Sequence, residues 1–317
     1  MNIAILDDYQ RIARTLADWD RLPAGTGLDV FHQHIADRDA LVAALLPFDV
    51  LVIMRERTPF PADLIERLPN LRLLVTTGMR NLSIDLDACR ARGITVCGTA
   101  IGGTPTAELA WGLILALVKR IPAEDRALRA GSWQTGLTGT LTGKRLGVVG
   151  LGKLGAQVAR IGLAFGMDVV AWSQNLTDER AREVGVRRAE KRDLFATADV
   201  VSLHLVLGER TRGIVGADEL RAMKPTAYFI NTARAGLVDE AALIEALREK
   251  RIAGAGLDVF SAEPLPPDHP LRTLDGTVLT PHLGYVTEEN YAVFYREALE
   301  DILAWTAGQP VRVLAAP

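Results

Sequence analysis

Three glycines stand at a spacing that suits the binding of phosphate groups. Gly150, Gly152 and Gly155 occupy the G-x-G-x-x-G positions of "GVVGLGKLG", between the apolar run "RLGVV" and the stretch "KLGAQVARIG". In a strand–turn–helix unit the first glycine allows a tight turn, the second lets a pyrophosphate approach the backbone, and the third lets helix and strand pack closely. Backbone N–H groups at the helix start, here Lys153 and Leu154, attract the phosphates. The spacing predicts a dinucleotide site; the alternative is a glycine-rich turn that only packs two elements.

The residue at the tip of the next strand should help to select the dinucleotide. An acid at this position accepts hydrogen bonds from the ribose diol and disfavours a 2′-phosphate. The stretch "VVAWSQN" instead places Ser173 there, which is uncharged, and no arginine stands at 173–175 to bind a 2′-phosphate. The sequence therefore predicts NAD or NADP and favours NADP slightly. A simpler interpretation keeps Ser173 as a turn residue, with NAD held by the rest of the site.

Short apolar runs alternate with amphipathic stretches along the chain. Helices are predicted at stretches such as "PADLIERL", "LDACRARG", "GADELRAM" and "DEAALIEALREK". The predicted strands are Asn2–Leu6, Asp49–Ile53, Leu73–Thr76, Thr95–Val96, Arg145–Val149, Asp168–Ala171, Val200–Leu203, Ala227–Ile230, Gly254–Leu257 and Val278–Leu279. This alternation predicts an α/β protein whose parallel sheets are covered on both faces.

The strand–helix pattern runs twice. One unit occupies about residues 1–97, and a second starts at Arg145, after a long helix from about Thr104 to Arg120. The tail "TEENYAVFYREALEDILAWTAG" reads as an amphipathic helix with no strand after it, and its apolar face needs a surface to cover. We therefore predict a discontinuous first domain, residues 1–100 plus 286–317, and a second domain, residues 101–285.

Composition excludes several classes of protein. The 317 residues suit about two domains, with 49% hydrophobic and 24% charged residues. The net charge of −3 gives no general attraction to nucleic acid or to an anionic membrane. The apolar run at 109–118 is too short to span a bilayer, and "MNIAILDDYQ" is not typical of a signal peptide. With only Cys89 and Cys97, no disulfide framework is expected, and we expect a cytoplasmic protein.

Several motifs in order resemble one enzyme family. "GVVGLGKLG", "INTARAGLVDE", "GAGLDVFSAEPLP" and "LTPHLGYVTEE" together resemble the D-isomer-specific 2-hydroxyacid dehydrogenases, which include phosphoglycerate, glyoxylate/hydroxypyruvate and D-lactate dehydrogenases. The resemblance covers nearly the whole chain. It implies two Rossmann-like or flavodoxin-like, doubly wound parallel-sheet domains separated by a cleft. The first domain would bind substrate and the second a dinucleotide.

The resemblance also assigns a catalytic set. It implies that Arg234 binds the substrate carboxylate, that His282 is the acid/base, and that Glu263 supports this histidine. Oxidation of a 2-hydroxy acid needs a base for the hydroxyl proton while hydride leaves the same carbon, and imidazole can serve in both directions. A neighbouring carboxylate sets the imidazole tautomer, and a guanidinium can bind a carboxylate through two parallel bonds. Without the order of the motifs, each residue has a simpler interpretation. His282 would be a structural loop residue, Glu263 would cap a turn, and Arg234 would form a surface salt bridge.

Residues beside the catalytic set are expected to border the cofactor. By resemblance these are Thr232, Asp258, His282 and Gly284. Asp258 has an alternative, because an aspartate at a strand end can simply accept turn N–H groups. The segment of His204 is also expected near the cofactor. His32 and His34 suggest no metal site, because no third ligand is evident and a metal site needs at least three.

The expected substrate loop departs from the family pattern. Relatives read G-x-G-V-D-N-I-D where this chain has "GMRNLSID", so Gly78 is kept and Arg80 replaces the second glycine. Gly78, Met79 and Arg80 are the predicted substrate contacts of this loop. Arg80, with Arg55 and Arg57, would favour a substrate that carries a second anionic group. The alternative is that these arginines are surface residues that never reach the pocket.

The resemblance predicts an NAD(P)-dependent oxidoreductase that acts on C2 of a small D-2-hydroxy or 2-keto acid. It also implies a homodimer, for which the apolar helix at 109–118 is available. No nucleic acid, membrane or metal is expected. A cofactor-sensing, corepressor-like binding protein is the alternative from another functional class, and formate or phosphite oxidation is a further reaction on the same scaffold.

Overall fold

A computed structural model describes residues 1–315, which form two compact units. One unit comprises Met1–Gly103 together with the chain from Thr287 onward, and the other comprises Thr104–Val286. The last two residues of the predicted first domain, 316 and 317, lie outside the described residues.

The described residues form two sheets covered by helices. The strands are β1 (Asn2–Ile5), β2 (Gly27–Val30), β3 (Val50–Ile53), β4 (Leu73–Thr76), β5 (Thr95–Gly98), β6 (Arg145–Val149), β7 (Asp168–Trp172), β8 (Arg187–Arg188), β9 (Val200–Leu203), β10 (Tyr228–Asn231), β11 (Gly254–Leu257), β12 (Thr277–Leu279) and β13 (Val313–Ala315). The helices are α1 (Arg38–Leu45), α2 (Ala62–Glu66), α3 (Leu86–Ala91), α4 (Pro105–Val118), α5 (Ile121–Arg129), α6 (Lys153–Ala164), α7 (Asp178–Val184), α8 (Lys191–Thr197), α9 (Ala217–Ala222), α10 (Glu240–Arg248) and α11 (Glu288–Thr306).

The first unit contains a six-stranded sheet in the order β13-β5-β4-β3-β1-β2. The strands β1 to β5 pair in parallel, and β3, β4 and β5 are buried along their whole length because their apolar residues are covered on both faces. Helix α11 packs on β4 and β5 and buries Tyr291, Phe294 and Tyr295. The apolar face of the tail is therefore covered within this unit.

Two features of the tail and of α4 differ from the sequence prediction. The expectation that no strand follows the tail helix is wrong, because β13 pairs antiparallel with β5. The long helix predicted from Thr104 to Arg120 ends at Val118, and Arg120, at a left-handed φ of 52°, precedes the separate helix α5.

The second unit contains a seven-stranded parallel sheet in the order β12-β11-β10-β9-β6-β7-β8. From β6 the chain adds β7 and β8 on one side, then continues through β9 to β12 on the other. The strand order therefore reverses between β6 and β9, and ligands of open α/β sheets bind at the carboxyl ends of strands at such a reversal. The predicted fold class is confirmed: both units are α/β, with parallel or mostly parallel sheets.

The unit boundaries lie close to those predicted at 100/101 and 285/286. Residues 100–102 stay with the first unit because the Ala100 N–H donates to Glu297 (2.7 Å) and the Gly102 N–H donates to Asn290 (2.9 Å), both on α11. The assignment of substrate to the first unit and dinucleotide to the second stays a prediction.

Among the described helices, none combines the length and the apolar character needed to cross a membrane.

Candidate active site

Most of the predicted catalytic and cofactor-binding residues lie at the carboxyl edge of the seven-stranded sheet. Because all seven strands are parallel, the loops that follow them emerge at the same edge. These residues are Gly150 after β6, Ser173 after β7, Thr232 and Arg234 after β10, Asp258 after β11, and His282 after β12.

The glycine turn between β6 and α6 leaves backbone open to a ligand, as a pyrophosphate would need. Gly150 adopts a φ of 101°, and a Cβ placed on Gly155 would lie 1.9 Å from the Gly150 carbonyl oxygen. A Cβ on Gly152 would instead meet no described atom within 4 Å, so the backbone is open to a ligand there. Gly152 also caps α6 without a side-chain hydrogen bond, which leaves the first N–H groups of Lys153 and Leu154 for an anion.

Two further features fit a dinucleotide at this edge. The Thr232 side chain is buried, and its Oγ1 has no hydrogen-bond partner among the described residues. A buried hydroxyl without a partner costs free energy, and a bound ligand would remove that cost. A Cβ on Gly150 would lie 2.8 Å from the backbone of His204, so the loops after β6 and β9 are in direct contact at the reversal point.

Ser173 follows β7 as the sequence predicts. The Trp172 carbonyl accepts a hydrogen bond from the Gly150 N–H (2.7 Å), which joins the tip of β7 to the glycine turn. The Ser173 carbonyl accepts from the Leu176 N–H (3.1 Å), so the residue also belongs to a turn. The tip itself, residues 173–175, carries no charge.

His282 and Glu263 form a close pair. The Nδ1 atom of His282 lies 2.6 Å from Oε2 of Glu263, and the other oxygen of Glu263 accepts a hydrogen bond from the Phe260 N–H (2.9 Å). The carboxylate therefore places the proton of a neutral imidazole on Nδ1, and Nε2 is the atom that can exchange a proton with a ligand. Both side chains keep part of their surface accessible, 18% for the histidine and 29% for the glutamate.

The backbone of the His282 loop is held by Asp258. The buried carboxylate accepts hydrogen bonds from Thr280 Oγ1 (2.6 Å), the Leu283 N–H (2.7 Å) and the Gly284 N–H (2.9 Å). Burial raises the pKa of Asp258, although these three donors act in the other direction. His282 itself adopts a left-handed φ of 54°. Both oxygens of Asp258 are thus engaged by the His282 loop, and contact with a cofactor stays a prediction for this residue.

Arg234 lies three residues beyond β10 on a backbone that is fixed by Asn231. The Asn231 side chain donates to the Arg234 carbonyl (3.1 Å) and accepts from the Ala233 N–H (3.0 Å). The half-buried Arg234 guanidinium donates to the Ala233 carbonyl (2.7 Å). The structure therefore fixes the main chain of Arg234 at the same sheet edge as His282.

The expected substrate loop follows β4 in the first unit. Gly78 adopts a φ of 94° and is covered by Arg55, because a Cβ on this glycine would lie 1.8 Å from the Arg55 Nη1 atom. Met79 is 46% exposed, and Arg80 is exposed as well. Arg57 donates to the Asp7 carbonyl (2.8 Å) and to the Tyr291 hydroxyl (3.3 Å), so its guanidinium holds the first unit together. Of the three arginines, Arg80 is the one whose side chain extends into solvent.

The sequence did not point to Asn81, which organises this loop. Its buried side chain donates to the Arg55 carbonyl (2.7 Å) and to Thr76 (2.9 Å), and accepts from Ser83. An asparagine next to an exposed Leu82 gives no pattern from which these contacts could be predicted.

The other histidines have local partners. Burial lowers the pKa of His204 to about 4, and its Nε2 lies 2.8 Å from Ser202 Oγ, so this ring stays neutral near pH 7. His32 and His34 follow β2 rather than lying on a strand, and each faces a different buried acid, Asp8 and Asp7. Tyr285 is buried and packs edge-on against His282 at 5.5 Å between ring centres.

Comparison with curated proteins identifies relatives of known name. A glyoxylate reductase from Aeropyrum pernix is 38% identical over 257 residues, which cover 78% of this chain and 77% of the relative. A D-3-phosphoglycerate dehydrogenase from Archaeoglobus fulgidus is 36% identical over 291 residues, which cover 90% of this chain and 55% of the relative. The chain thus spans about half the length of this dehydrogenase.

A solved structure agrees over nearly the whole fold. The phosphoglycerate oxidoreductase from Vibrio cholerae O395 superposes with a TM-score of 0.91 at 39% identity, covering 97% of this chain and 99% of that one. Residues 111–284, more than half of the chain, match the family model described as the NAD binding domain of D-isomer specific 2-hydroxyacid dehydrogenases. The chain belongs to the D-isomer specific 2-hydroxyacid dehydrogenase family.

Proposed function

We propose that this chain is an NAD(P)-dependent oxidoreductase that transfers hydride between nicotinamide and C2 of a small D-2-hydroxy or 2-keto acid. The observation that carries the proposal is the contact of 2.6 Å between His282 and Glu263, at the sheet edge that also carries the open glycine turn. The names of the relatives, glyoxylate reductase and D-3-phosphoglycerate dehydrogenase, support the same substrate class.

In the reductive direction, each residue has one task. A bound nicotinamide dinucleotide supplies the hydride. Arg234 binds the substrate carboxylate through its guanidinium fork and orients the neighbouring carbonyl. His282 donates the proton from Nε2 to the carbonyl oxygen, and in the oxidative direction it accepts the hydroxyl proton at the same atom. Glu263 stabilises the imidazolium form of His282 through its contact with Nδ1. The same contact orients the ring so that Nε2 faces away from Glu263.

The cofactor site suits either dinucleotide, with a slight preference for NADP. The uncharged tip at Ser173 neither repels a 2′-phosphate nor offers a carboxylate to the ribose diol. Gly150, Gly152 and Gly155 would hold the pyrophosphate, and the Thr232 hydroxyl would find a partner in the bound cofactor.

Substrate selection is assigned to the loop after β4. Its exposed side chains are Met79, Arg80 and Leu82, so it offers both apolar surface and one cation. Arg57 is engaged inside the first unit, and Arg55 already covers Gly78. If a substrate with a second anionic group is preferred, Arg80 is the residue that binds it.

A homodimer is the proposed assembly, but not through α4 as the sequence suggested. Helix α4 buries half of its residues against β10, β11 and α6 in its own unit. The next segment instead exposes apolar side chains: Ile121 (53%), Leu128 (56%), Trp133 (77%) and Leu137 (98%). In the described structure α5 has no buried residue, so this segment, 121–137, is available to a second copy of the chain.

The test is turnover of NADH and NADPH, in parallel, with glyoxylate, hydroxypyruvate, pyruvate and 3-phosphohydroxypyruvate. We expect oxidation of at least one cofactor with at least one of these acids. Tight cofactor binding without turnover would favour a corepressor-like sensor instead. Turnover of NAD or NADP with formate or phosphite, and none with 2-keto acids, would overturn the substrate class.

A further inference from the structure

The hydroxyl of Thr106 contacts the loop that carries His282. Thr106 lies in the first turn of α4, and its Oγ1 donates a hydrogen bond to the Gly284 carbonyl at 2.6 Å. On the other side of this residue, the Gly284 N–H donates to Asp258 at 2.9 Å. Gly284 lies two residues beyond His282, and both of its backbone polar groups are therefore bound by side chains. Thr106 binds the carbonyl oxygen and Asp258 binds the N–H.

The contact is also tight in space. A Cβ placed on Gly284 would lie 3.1 Å from the Thr106 methyl carbon and 3.2 Å from the Asp258 carboxylate. These distances are shorter than ordinary van der Waals contacts of a Cβ, so a side chain at position 284 would require Thr106 or Asp258 to shift by a few tenths of an ångström. Thr106 thus touches the loop with its methyl group as well as its hydroxyl.

The position of this bond along the chain gives it a second property. The second unit begins at Thr104 and ends at Val286, so the chain passes between the two units at 103/104 and at 286/287. Thr106 and Gly284 are each the third residue inward from one of these passages. The hydrogen bond between them therefore joins the chain close to the two points at which it enters and leaves the unit.

We propose that Thr106 is a positioning residue for the acid/base, because its hydrogen bond to Gly284 fixes the His282 loop against the start of α4. This inference rests on the proposed function for its catalytic consequence, though not for the geometry. Without the bond, the Gly284 carbonyl loses its partner and the loop can move away from α4. The contact of 2.6 Å between His282 and Glu263 would then no longer be held in one arrangement. Misplacement of a reacting group by about 1 Å can cost on the order of 100-fold in rate.

Thr106→Val tests the proposal, because it keeps the shape and removes the hydroxyl. We expect kcat for 2-keto acid reduction to fall by about 10- to 100-fold. The Kd for NADH and NADPH, measured by fluorescence, should change by a smaller factor than kcat, because Thr106 itself is assigned no cofactor contact and the glycine turn that would hold the pyrophosphate is unaltered. Thr106→Ser should restore most of kcat. The control Thr104→Val removes a hydroxyl that makes no capping hydrogen bond at the same helix start, and it should leave kcat unchanged.

A readout that does not depend on turnover is the NMR proton resonance of the His282–Glu263 hydrogen bond, assigned by its loss in His282→Ala. It should shift or broaden in Thr106→Val and return in Thr106→Ser, while the thermal midpoint excludes global unfolding. If Thr106→Val does not fold, Thr106→Ala is the second hydroxyl-free variant. Unchanged kcat and unchanged resonance in the hydroxyl-free variant would overturn the proposal, as would an equal effect of Thr104→Val. If the native protein reduces no 2-keto acid, the proposed function fails, and the resonance alone decides the positioning role.

Discussion

At the scale of single residues, the chemistry of the site depends on which atom of His282 meets the carboxylate. Glu263 contacts Nδ1, so in the proposed mechanism the proton that moves during the reaction is carried by Nε2. The backbone conformation of the histidine, with its φ of 54°, is held by the hydrogen bonds that Asp258 accepts on both sides of the loop. Glu263 and Asp258 thus determine the orientation of the His282 ring, one through the side chain and the other through the backbone.

Ser173→Asp should change the choice of cofactor. A carboxylate at the tip of β7 would accept hydrogen bonds from the ribose diol of NAD and repel the 2′-phosphate of NADP. We expect the ratio of kcat/KM for NADH to that for NADPH to rise at least about 10-fold, which corresponds to about 1.4 kcal/mol. Ser173→Asn, an uncharged control of the same size, should change the ratio much less. An equal ratio in the native protein and in Ser173→Asp would refute the assignment of Ser173 to the ribose.

Some contacts of the candidate site could be predicted from the sequence, and others could not. The order of motifs predicted the pair of Glu263 and His282, and the structure brings them into contact. It did not predict that Arg55 covers Gly78, that Asn81 binds the Arg55 carbonyl, or that Thr106 binds Gly284. These contacts join loops that are far apart in sequence, and local residue patterns carry no information about them.

At the scale of elements, the turn between β6 and α6 depends on close approach of helix and strand. Gly155→Ala would place a methyl group about 1.9 Å from the Gly150 carbonyl oxygen, so the turn must open. We expect a loss of about 1–3 kcal/mol in the free energy of unfolding and a Kd for NADPH that is more than about 10-fold weaker. Fluorescence titration and denaturant unfolding measure the two effects.

Gly112→Ala is the matched control for this variant. Gly112 is also a helical glycine, but a Cβ there meets no described atom within 4 Å. The substitution should stabilise the protein by up to about 1 kcal/mol and leave cofactor affinity unchanged. Equal effects of the two alanines would mean that the tight packing at Gly155 does not shape the cofactor turn.

The ion pair between Asp301 on α11 and Arg312, which directly precedes β13, should respond to pH. Asp301 is fully buried, its Oδ1 accepts from Arg312 Nε (2.9 Å), and its Oδ2 has no donor among residues 1–315. Burial raises the pKa of Asp301 to about 7, despite the neighbouring guanidinium. The pKa of Arg312 is raised as well, because Asp301 and two glutamates outweigh the effect of its own burial, as expected for a charged pair. The charged form of Asp301 is disfavoured because its second oxygen lacks a donor among the described residues.

Asp301→Asn should therefore alter the pH dependence of stability. Asp301 keeps its proton to a higher pH in the folded state than in the unfolded state. The free energy of unfolding of the native protein therefore decreases as the pH rises from about 4 to 7. Between pH 5 and pH 8 the variant should gain about 2–3 kcal/mol in unfolding free energy relative to the native protein. Denaturant unfolding at both pH values measures the difference. A constant difference across this range would contradict a raised pKa at Asp301.

The strands missed from the sequence share a physical reason. They are the edge strands β2, β8 and β13, which have two to four residues each. In β2 exposed and half-buried residues alternate, β8 consists of two exposed arginines, and the three apolar residues of β13 are too few to distinguish a strand from a loop. The central strands were predicted within one or two residues, because burial on both faces requires a continuous apolar run. Pairing of β13 with β5 joins segments that are more than 200 residues apart, which a local pattern cannot reveal.

At the scale of the whole molecule, the chain repeats one plan in two units and returns to the first unit at its end. The sequence predicted both the repetition and the return, because the tail helix had an apolar face to cover. A cluster of exposed apolar side chains lies elsewhere, at residues 121–137.

Charge placed in this segment should prevent self-association. We expect the native protein to sediment as a dimer at micromolar concentration, and Trp133→Asp combined with Leu137→Asp to sediment as a monomer. Val311→Asp introduces the same charge at a half-exposed apolar position outside the segment and should remain dimeric. A native protein that sediments as a monomer would contradict the proposed homodimer, and a dimeric double variant would contradict the proposed interface.

The most direct measurement of the central claim is the rate of 2-keto acid reduction by His282→Ala, together with its affinity for NADPH. General acid catalysis contributes on the order of 100- to 10,000-fold, so we predict a fall in kcat of that size with a Kd within about threefold of the native value. The control His269→Ala, at a histidine paired with Glu240, should keep kcat. Native-like turnover by His282→Ala would show that the proton is carried by another group, and the proposed roles of Glu263 and His282 would be wrong.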